Sequence, residues 1–500
     1  MKQRSIFKVG ASASLVLLLA AGAGVTLAAP APSLAELVKS LLARNDSIQS
    51  KQLAKRMADA EIEKSLAKFD PQFSASAARN VQKEPNTSEE EATRAYLPNY
   101  EKYASEYSAS ISKLLPTGAK FEAKATVSRF MTSAIQQIDP GQPDNVRAYY
   151  GLSLMQPLMR DAGAEVNNAS VKWAELDAGA AASDQVDTTN AVVAQGLMAF
   201  YDLQMAHQQE RIEQEKVAMA KRLLKLAKSA EQAGRASRAE TWDVENSLSR
   251  FEVAALVAVQ NRVEQSNRLK TMLMADTDVA TLGPVADLLP QVQAQPQARE
   301  ELVESALAHR ADYQRQQLTL QRAQSQLDYA NNQREPRVDL TLSYGQNGLA
   351  YTWNKAMSNT TTMKTPTWSV GLQVQTPLGS NREGEASYVQ ARARVEEARL
   401  ALDALKVSIG NDIDSSVKLV QNVGQRWSHW AGVNKREQEQ LTLERERLSN
   451  GRSDLRELLF KEERALNAQM SLVEQRVGYA KAQVLQHAAV GTLLNHYAAQ

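Results

Sequence analysis

The sequence predicts a mainly α chain with a smaller β part, in which long antiparallel helical hairpins adjoin a set of short alternating strands. Three observations carry that expectation: where the prolines fall, an apolar period of 3.5 residues through the proline-free stretches, and an internal duplication that repeats the plan once.

The fifteen prolines include none between Pro157 and Pro284 and none after Pro377. Proline inside a helix costs ~3 kcal/mol or more, so both of those stretches are free to be helical. They are also rich in Ala, Glu, Gln, Leu, Arg and Lys, the strong helix formers. In the second stretch Tyr388, Ala391, Val395, Ala398, Leu402, Leu405 and Ile409 step alternately by three and four. Leu466, Met470, Val473, Val477, Ala480, Val484, His487, Gly491 and Leu494 do the same further on. An unbroken 3.5 period marks a narrow seam against neighbouring helices rather than a wide globular face. Each stretch is interrupted once, at Ala233-Gly234-Arg235 and at Asn450-Gly451-Arg452. A helix from about Gly163 to Ala230 would be on the order of 100 Å long at 1.5 Å per residue.

The duplication is visible in several places. Glu36-Leu37-Val38 lines up with Glu301-Leu302-Val303 at an offset of 265, which also carries Asp70-Pro71 onto Glu335-Pro336. Gly151 to Leu158 matches Gly371 to Leu378 at an offset of 220, and Gly234 matches Gly451 at 217. The fall from 265 to 220 places a 45-residue insertion in the first half, between Pro71 and Pro157. A self-similar chain of this kind is read one repeat at a time. The expected divisions are a leader at 1–29, a first repeat at 30–275, a linker at 276–297 and a second repeat at 298–500. Strands are expected at about 72–80, 103–130 and 147–158, then 337–345 and 367–378, with long helices at about 161–275 and 381–498.

The strands alternate cleanly. Val338, Leu340, Leu342 and Tyr344 fall on one face and Arg337, Asp339, Thr341 and Ser343 on the other; Trp368, Val370, Leu372 and Val374 oppose Ser369, Gly371, Gln373 and Gln375. The insertion adds a hairpin, Tyr103 to Leu114 and Ala119 to Phe130, around Leu115-Pro116-Thr117-Gly118. Period-2 runs of about ten residues suit a membrane barrel, polar inside and apolar toward lipid. They suit a soluble sheet with one buried face as well.

The N-terminal region tips that balance. Lys2, Arg4 and Lys8, a short apolar run Ser14 to Ala21, and small residues before Pro30 have the layout of a secretory signal peptide. No later segment approaches eighteen uninterrupted apolar residues, so membrane insertion would use strands. Four to eight strands cannot enclose a channel, since even eight leave room only for side chains, and several copies would have to pool them.

Other classes find little support. There is no cysteine, hence no disulfide, thiolate metal site or lipid thioether. Net charge is +1, and −2 once Lys2, Arg4 and Lys8 leave with the signal, which argues against a nucleic-acid binder. His207, His309, His429, His487 and His496 share no metal-ligand spacing. Neither a phosphate loop nor a G-x-S-x-G elbow occurs. No catalytic, cofactor or metal site is expected, and any energy for transport would come from a partner.

Together the tandem halves, the strands closing on Gln156-Pro157-Leu158 and Thr376-Pro377-Leu378, and the glycine-centred turns resemble the TolC family of outer-membrane efflux proteins. The run Gly451-Arg452-Ser453-Asp454-Leu455-Arg456-Glu457-Leu458-Leu459 is similar to that family's second helix turn, and Gly491-Thr492-Leu493 supplies its later glycine. The resemblance implies a homotrimer in the bacterial outer membrane. Its strands would form one transmembrane β-barrel, with Val338, Leu340, Leu342, Tyr344, Trp368, Val370, Leu372 and Val374 toward lipid. Its helices would form a periplasmic α-barrel. The resemblance also implies that Gly234, Arg235, Gly451 and Arg452 mark turns where a periplasmic adaptor docks, with an inner-membrane pump behind it. It puts the channel gate at Asp454, Glu457, Phe460 and Glu240; Phe460 stands where an acidic residue is frequent, so a double acidic ring is in doubt. The function implied is the exit duct of a tripartite efflux or type I secretion system. A periplasmic coiled-coil scaffold or adaptor without a pore is the alternative.

Overall fold

The computed structural model describes residues 34–234, 236–274 and 298–497. The expected leader, the linker at 276–297 and Arg235 lie outside the described residues. In the first half the chain runs α1 (Leu34–Arg44), α2 (Asp46–Leu66), β1 (Gln72–Pro85), α3 (Ser88–Thr93), β2 (Asn99–Leu114), β3 (Lys120–Thr132), α4 (Ser133–Ile138), β4 (Asn145–Pro157), α5 (Ala164–Asn167), α6 (Ala169–Gln232) and α7 (Arg238–Leu273). The second half runs α8 (Arg299–His309), α9 (Ala311–Asn332), β5 (Arg337–Ala350), α10 (Trp353–Thr360), β6 (Pro366–Gln375), α11 (Arg382–Ser449), α12 (Leu455–Val490) and α13 (Leu493–Tyr497).

The duplication holds at the level of elements. An offset of 265 carries both ends of α1 onto those of α8, and the first residues of α2 and β1 onto those of α9 and β5. An offset of 217 carries α7 onto α12 residue for residue and brings the last residue of α6 onto that of α11.

Two helices set the length. At 64 and 68 residues, α6 and α11 extend about 96 and 102 Å. Each is paired by shorter helices laid end to end, α6 by α2 and α7, α11 by α9 and α12. Ion pairs tie α6 to α2 and also to α9: Lys51 of α2 to Asp184 at 2.5 Å, and Arg315 and Arg322 of α9 to Asp184 at 2.7 Å and Asp177 at 2.9 Å. The heptad seam of α11 is where expected, with Ala391, Ala398, Leu402 and Ile409 buried. On α12, Val477, Ala480 and Val484 are buried, but so are Ala465, Ala468, Tyr479 and Ala482. That helix packs on α6 as well as α11, so it needs a second buried stripe that a single 3.5 period does not reveal.

The largest apolar core sits where the helices change partners. Leu34, Leu37, Val38 and Leu41 of α1 meet Leu197, Phe200 and Leu203 of α6, Leu269 of α7, Val477 and Val484 of α12, and Leu493 of α13. Gly196 permits this approach, because a Cβ there would lie 2.3 Å from a Leu41 methyl. A second core, with Met219, Leu223, Val244, Phe251, Leu441, Leu458 and Leu459, ties α6, α7, α11 and α12 together near their turns. Among the described residues, no helix is long and apolar enough to cross a membrane.

The strands form one six-stranded antiparallel sheet in the order β1-β2-β3-β4-β5-β6. The connection at the helix end, between β2 and β3, is short; Leu115 N–H donates to Ala119 O, and Gly118 adopts φ +89°. The three at the far end are longer, and each carries a helix: α3, α4 or α10.

Candidate functional site: a two-faced wall and two helix turns

The sheet's registers sort its side chains into rows. Phe73, Ile111, Ala123, Leu152, Tyr344 and Trp368 are successive cross-strand partners across all six strands. The row one residue below reads Gln72, Ser112, Glu122, Ser153, Ser343 and Ser369. Because side chains alternate along a strand, one face is apolar and aromatic and the other polar. On the apolar face Val338 pairs with Val374, Leu340 with Leu372, Leu342 with Val370 and Tyr344 with Trp368. All eight candidate residues therefore stand together on one side. Trp368 is 70% exposed and Val370 64%, so among the described residues nothing covers this face there.

On the polar face, serine hydroxyls bond across strands, Ser74 to Ser110 at 2.8 Å, Ser76 to Ser108 at 2.8 Å and Ser343 to Ser369 at 2.7 Å. The Tyr149 ring lies flat over Gly151 and Gly345; a Cβ on Gly345 would come within 2.4 Å of it.

At the far end α10 covers part of the apolar face. Ala356 packs with Val146, Ala148, Val127 and Ala350, and the Trp353 and Tyr107 rings meet at 5.3 Å. Only Gly348 allows this contact, since a Cβ there would lie 2.1 Å from Ala356 O. Sequence reasoning missed α10, although Trp353, Ala356 and Thr360 recur at helical spacing. At the other end the sheet is jointed to the helices. Asn381 caps α11 by accepting from Gly384 N–H at 3.0 Å, and its amide donates to Gln333 O at 3.2 Å. Lys68, whose pKa burial lowers, donates to Asn167 O and to Ser170 Oγ at 2.7 Å.

The two helix turns are built alike. Gly234 and Gly451 have φ of +68° and +69°, a left-handed region that favours glycine. Gly451 N–H donates to Leu448 O and Arg452 N–H to Arg447 O, which satisfies the last carbonyls of α11. Three residues after each glycine comes the next helix's N-cap. Ser237 Oγ accepts from Glu240 N–H at 3.3 Å, and Asp454 Oδ1 accepts from Glu457 N–H at 2.8 Å. Asp454 thus spends a carboxylate oxygen on its own helix. Glu457 lies 3.8 Å from Lys461, and Phe460 is 49% exposed with the Arg464 guanidinium 5.5 Å from its ring centroid.

Sequence reasoning missed the contact between the turns. Arg456 pairs with Asp243 at 2.7 Å, joining the first turn of α12 to the second turn of α7. Arg464 and Arg445 reach Glu437 and Glu462 at 2.6 and 2.8 Å across the α11–α12 hairpin. Their partners are 27 and 17 residues away in sequence, and no local spacing announces them. Among the described residues no group of three or more His, Asp or Glu is placed to hold a metal ion.

A sheet with one polar and one apolar face, mounted on paired helices of this length, defines the class: a TolC-like fold. Residues 302–492 match the family model described as outer membrane efflux protein. The fold is similar to that of VceC from Vibrio cholerae, an outer membrane protein (15% identity, 92% of this chain and 96% of that chain, TM-score 0.63). It is similar also to the outer-membrane channel OprN (16%, 92% and 90%, TM-score 0.66) and to the open state of the MtrE outer membrane channel of Neisseria gonorrhoeae (15%, 92% and 90%, TM-score 0.59). No curated protein sequence matches. The chain carries an outer membrane efflux protein domain in its second half, within a fold that is TolC-like throughout.

Proposed function

We propose that this protein is the outer-membrane exit duct of a tripartite efflux or type I secretion system. Three copies pool their sheets into one barrel and their helices into a periplasmic tunnel, and substrate passes in from an adaptor and an inner-membrane pump. The observation that carries this reading is the exposed apolar row from Phe73 to Trp368. In water so large an apolar face would be a liability, whereas in lipid it is the required surface. The exposed Val253, Leu256 and Val257 on α7 and Leu400 and Val407 on α11 are surfaces for neighbouring copies to cover. No nucleic acid is a partner in this reading, and the bilayer is.

The turns at Gly234 and Gly451 lie at the tunnel mouth, where the adaptor docks. There Glu457 and Glu240 are the acidic gate positions, with Asp454 holding the helix start. Three Glu457 carboxylates would favour cations, and three Phe460 rings would form an apolar constriction. Replacing both Glu457 and Phe460 by Ala is expected to raise single-channel conductance severalfold; unchanged conductance removes them from the gate. The function itself is tested by fractionating producing cells. The duct should stay with the outer membrane, require detergent for release and run as an oligomer resistant to mild heat. Recovery from the periplasm without detergent would point to a coiled-coil scaffold or adaptor instead.

A further inference from the structure

We propose that the inserted hairpin β2–β3 is wall and not lid, so that the shared barrel takes six strands from each chain and a trimer closes on eighteen. This rests on the channel reading above and goes beyond it. The second half contributes one pair, β5 and β6, and the first half without its 45-residue insertion would contribute two strands likewise. That simpler plan would give a trimer of twelve strands.

The inserted strands are integrated into the sheet along their whole length. β1 pairs with β2 from Gln72–Ser112 to Pro85–Asn99, β2 with β3 from Leu114–Lys120 to Lys102–Thr132, and β3 with β4 from Lys120–Met155 to Phe130–Asn145. They are also in phase. Ile111 and Ala123 fall in the apolar row, Ser112 and Glu122 in the polar one. A slip of one residue would turn every side chain to the wrong face, so this phase reflects a strand built for a two-sided environment. The hairpin's turn lies at the helix end. There Thr117 O accepts from Gly163 N–H at 3.1 Å, and a Cβ on Gly118 would lie 2.5 Å from Asp161 O. An external lid would have its free end at the opposite side of the sheet.

The edges of the sheet indicate how copies join. Among the described residues the outer sides of β1 and β6 have no strand beside them, and both strands are exposed throughout. Lipid tolerates no open edge, and six strands are too few to enclose a channel. With an even number of strands per chain, β6 of one copy and β1 of the next run antiparallel, as the rest of the sheet does. The register follows from the slope. The apolar row climbs from Phe73, second from the helix end of β1, to Trp368, eighth from the helix end of β6. Continued by one strand, with the helix ends level, it sets Ala77 of the next copy opposite Val370 or Leu372. Eighteen strands is the size at which barrels hold a water-filled channel, which leaves the helix turns as the narrow point of the duct.

Because the chain has no cysteine, introduced pairs report cleanly. Ala77→Cys combined with Val370→Cys, and Ala77→Cys with Leu372→Cys, are oxidised in the outer membrane of producing cells and run without reductant. One of the two pairs should give covalent dimer and trimer bands that the single-cysteine variants lack, and electron cryomicroscopy of the unsubstituted detergent-extracted oligomer should count eighteen strands. A heat-resistant, detergent-dependent oligomer in which neither pair crosslinks and the wall has twelve strands overturns this inference and leaves the channel reading standing. A water-soluble monomer overturns both.

Discussion

At the residue scale, the two groups whose environment does most are a histidine and a glycine. His487 stacks on His496 with ring centroids 4.1 Å apart and meets Thr492 Oγ1 at 3.2 Å. Burial, then the neighbouring His496, pushes its pKa from 6.5 down to about 4. Between those values the unfolded chain binds the proton and the folded chain does not, so stability rises with pH across this window. It is present in full above about 6.5 and is lost as pH falls toward about 4. The slope is at most ~1.4 kcal/mol per pH unit, and less here because the ring is only half-buried. Thermal unfolding of the extracted oligomer should shift to lower temperature from pH 7 to pH 5, and His487→Gln should flatten that shift; an unaltered slope would place its origin elsewhere. Gly345 has a different role. Valine there would drive a side chain into the Tyr149 ring, an overpacking of about 1–3 kcal/mol. Gly345→Val should lower the temperature at which the oligomer dissociates in detergent. Gly371→Val, whose Cβ meets only Thr341 Oγ1 at 3.8 Å, should barely move it.

At the scale of elements, the glycine turns separate two duties. Proline's φ near −65° cannot replace the +69° of Gly451, so Gly451→Pro should open the α11–α12 turn while the sheet, at the other end of helices about 100 Å long, still assembles. The expected outcome is a near-normal amount of heat-resistant oligomer with at least a tenfold loss of pump-dependent export; equal loss of both would deny the turn a docking role. Elements were legible where a local rule fixes them. The seam residues Ala398 and Ile409 recur at coiled-coil period because one neighbour claims one stripe, and Leu340 and Leu372 alternate because successive side chains of a strand point to opposite faces. What escaped depends on neighbours distant in sequence. The second stripe of α12 through Ala465 and Ala482 exists because α6 lies behind it, and α10 exists because Gly348 leaves room above the sheet.

At the scale of the whole molecule, the duplication was readable as offsets of 265 and 217 because each half repeats one plan, and its consequence is a chain with two turns at one end and one sheet at the other. The candidate site was only partly readable. Glu457 and Phe460 were singled out by resemblance alone, and the pairing of Arg456 with Asp243 at 2.7 Å required the relative rotation of two hairpins, which no periodicity encodes. The whole arrangement is of use only if the sheet lies in a bilayer and water passes through it. Single-channel recording of the purified, detergent-extracted protein in planar lipid bilayers tests that most directly. Discrete conductance steps of uniform size are the predicted result; bilayers that stay silent while the added protein remains dissolved as single chains would contradict it.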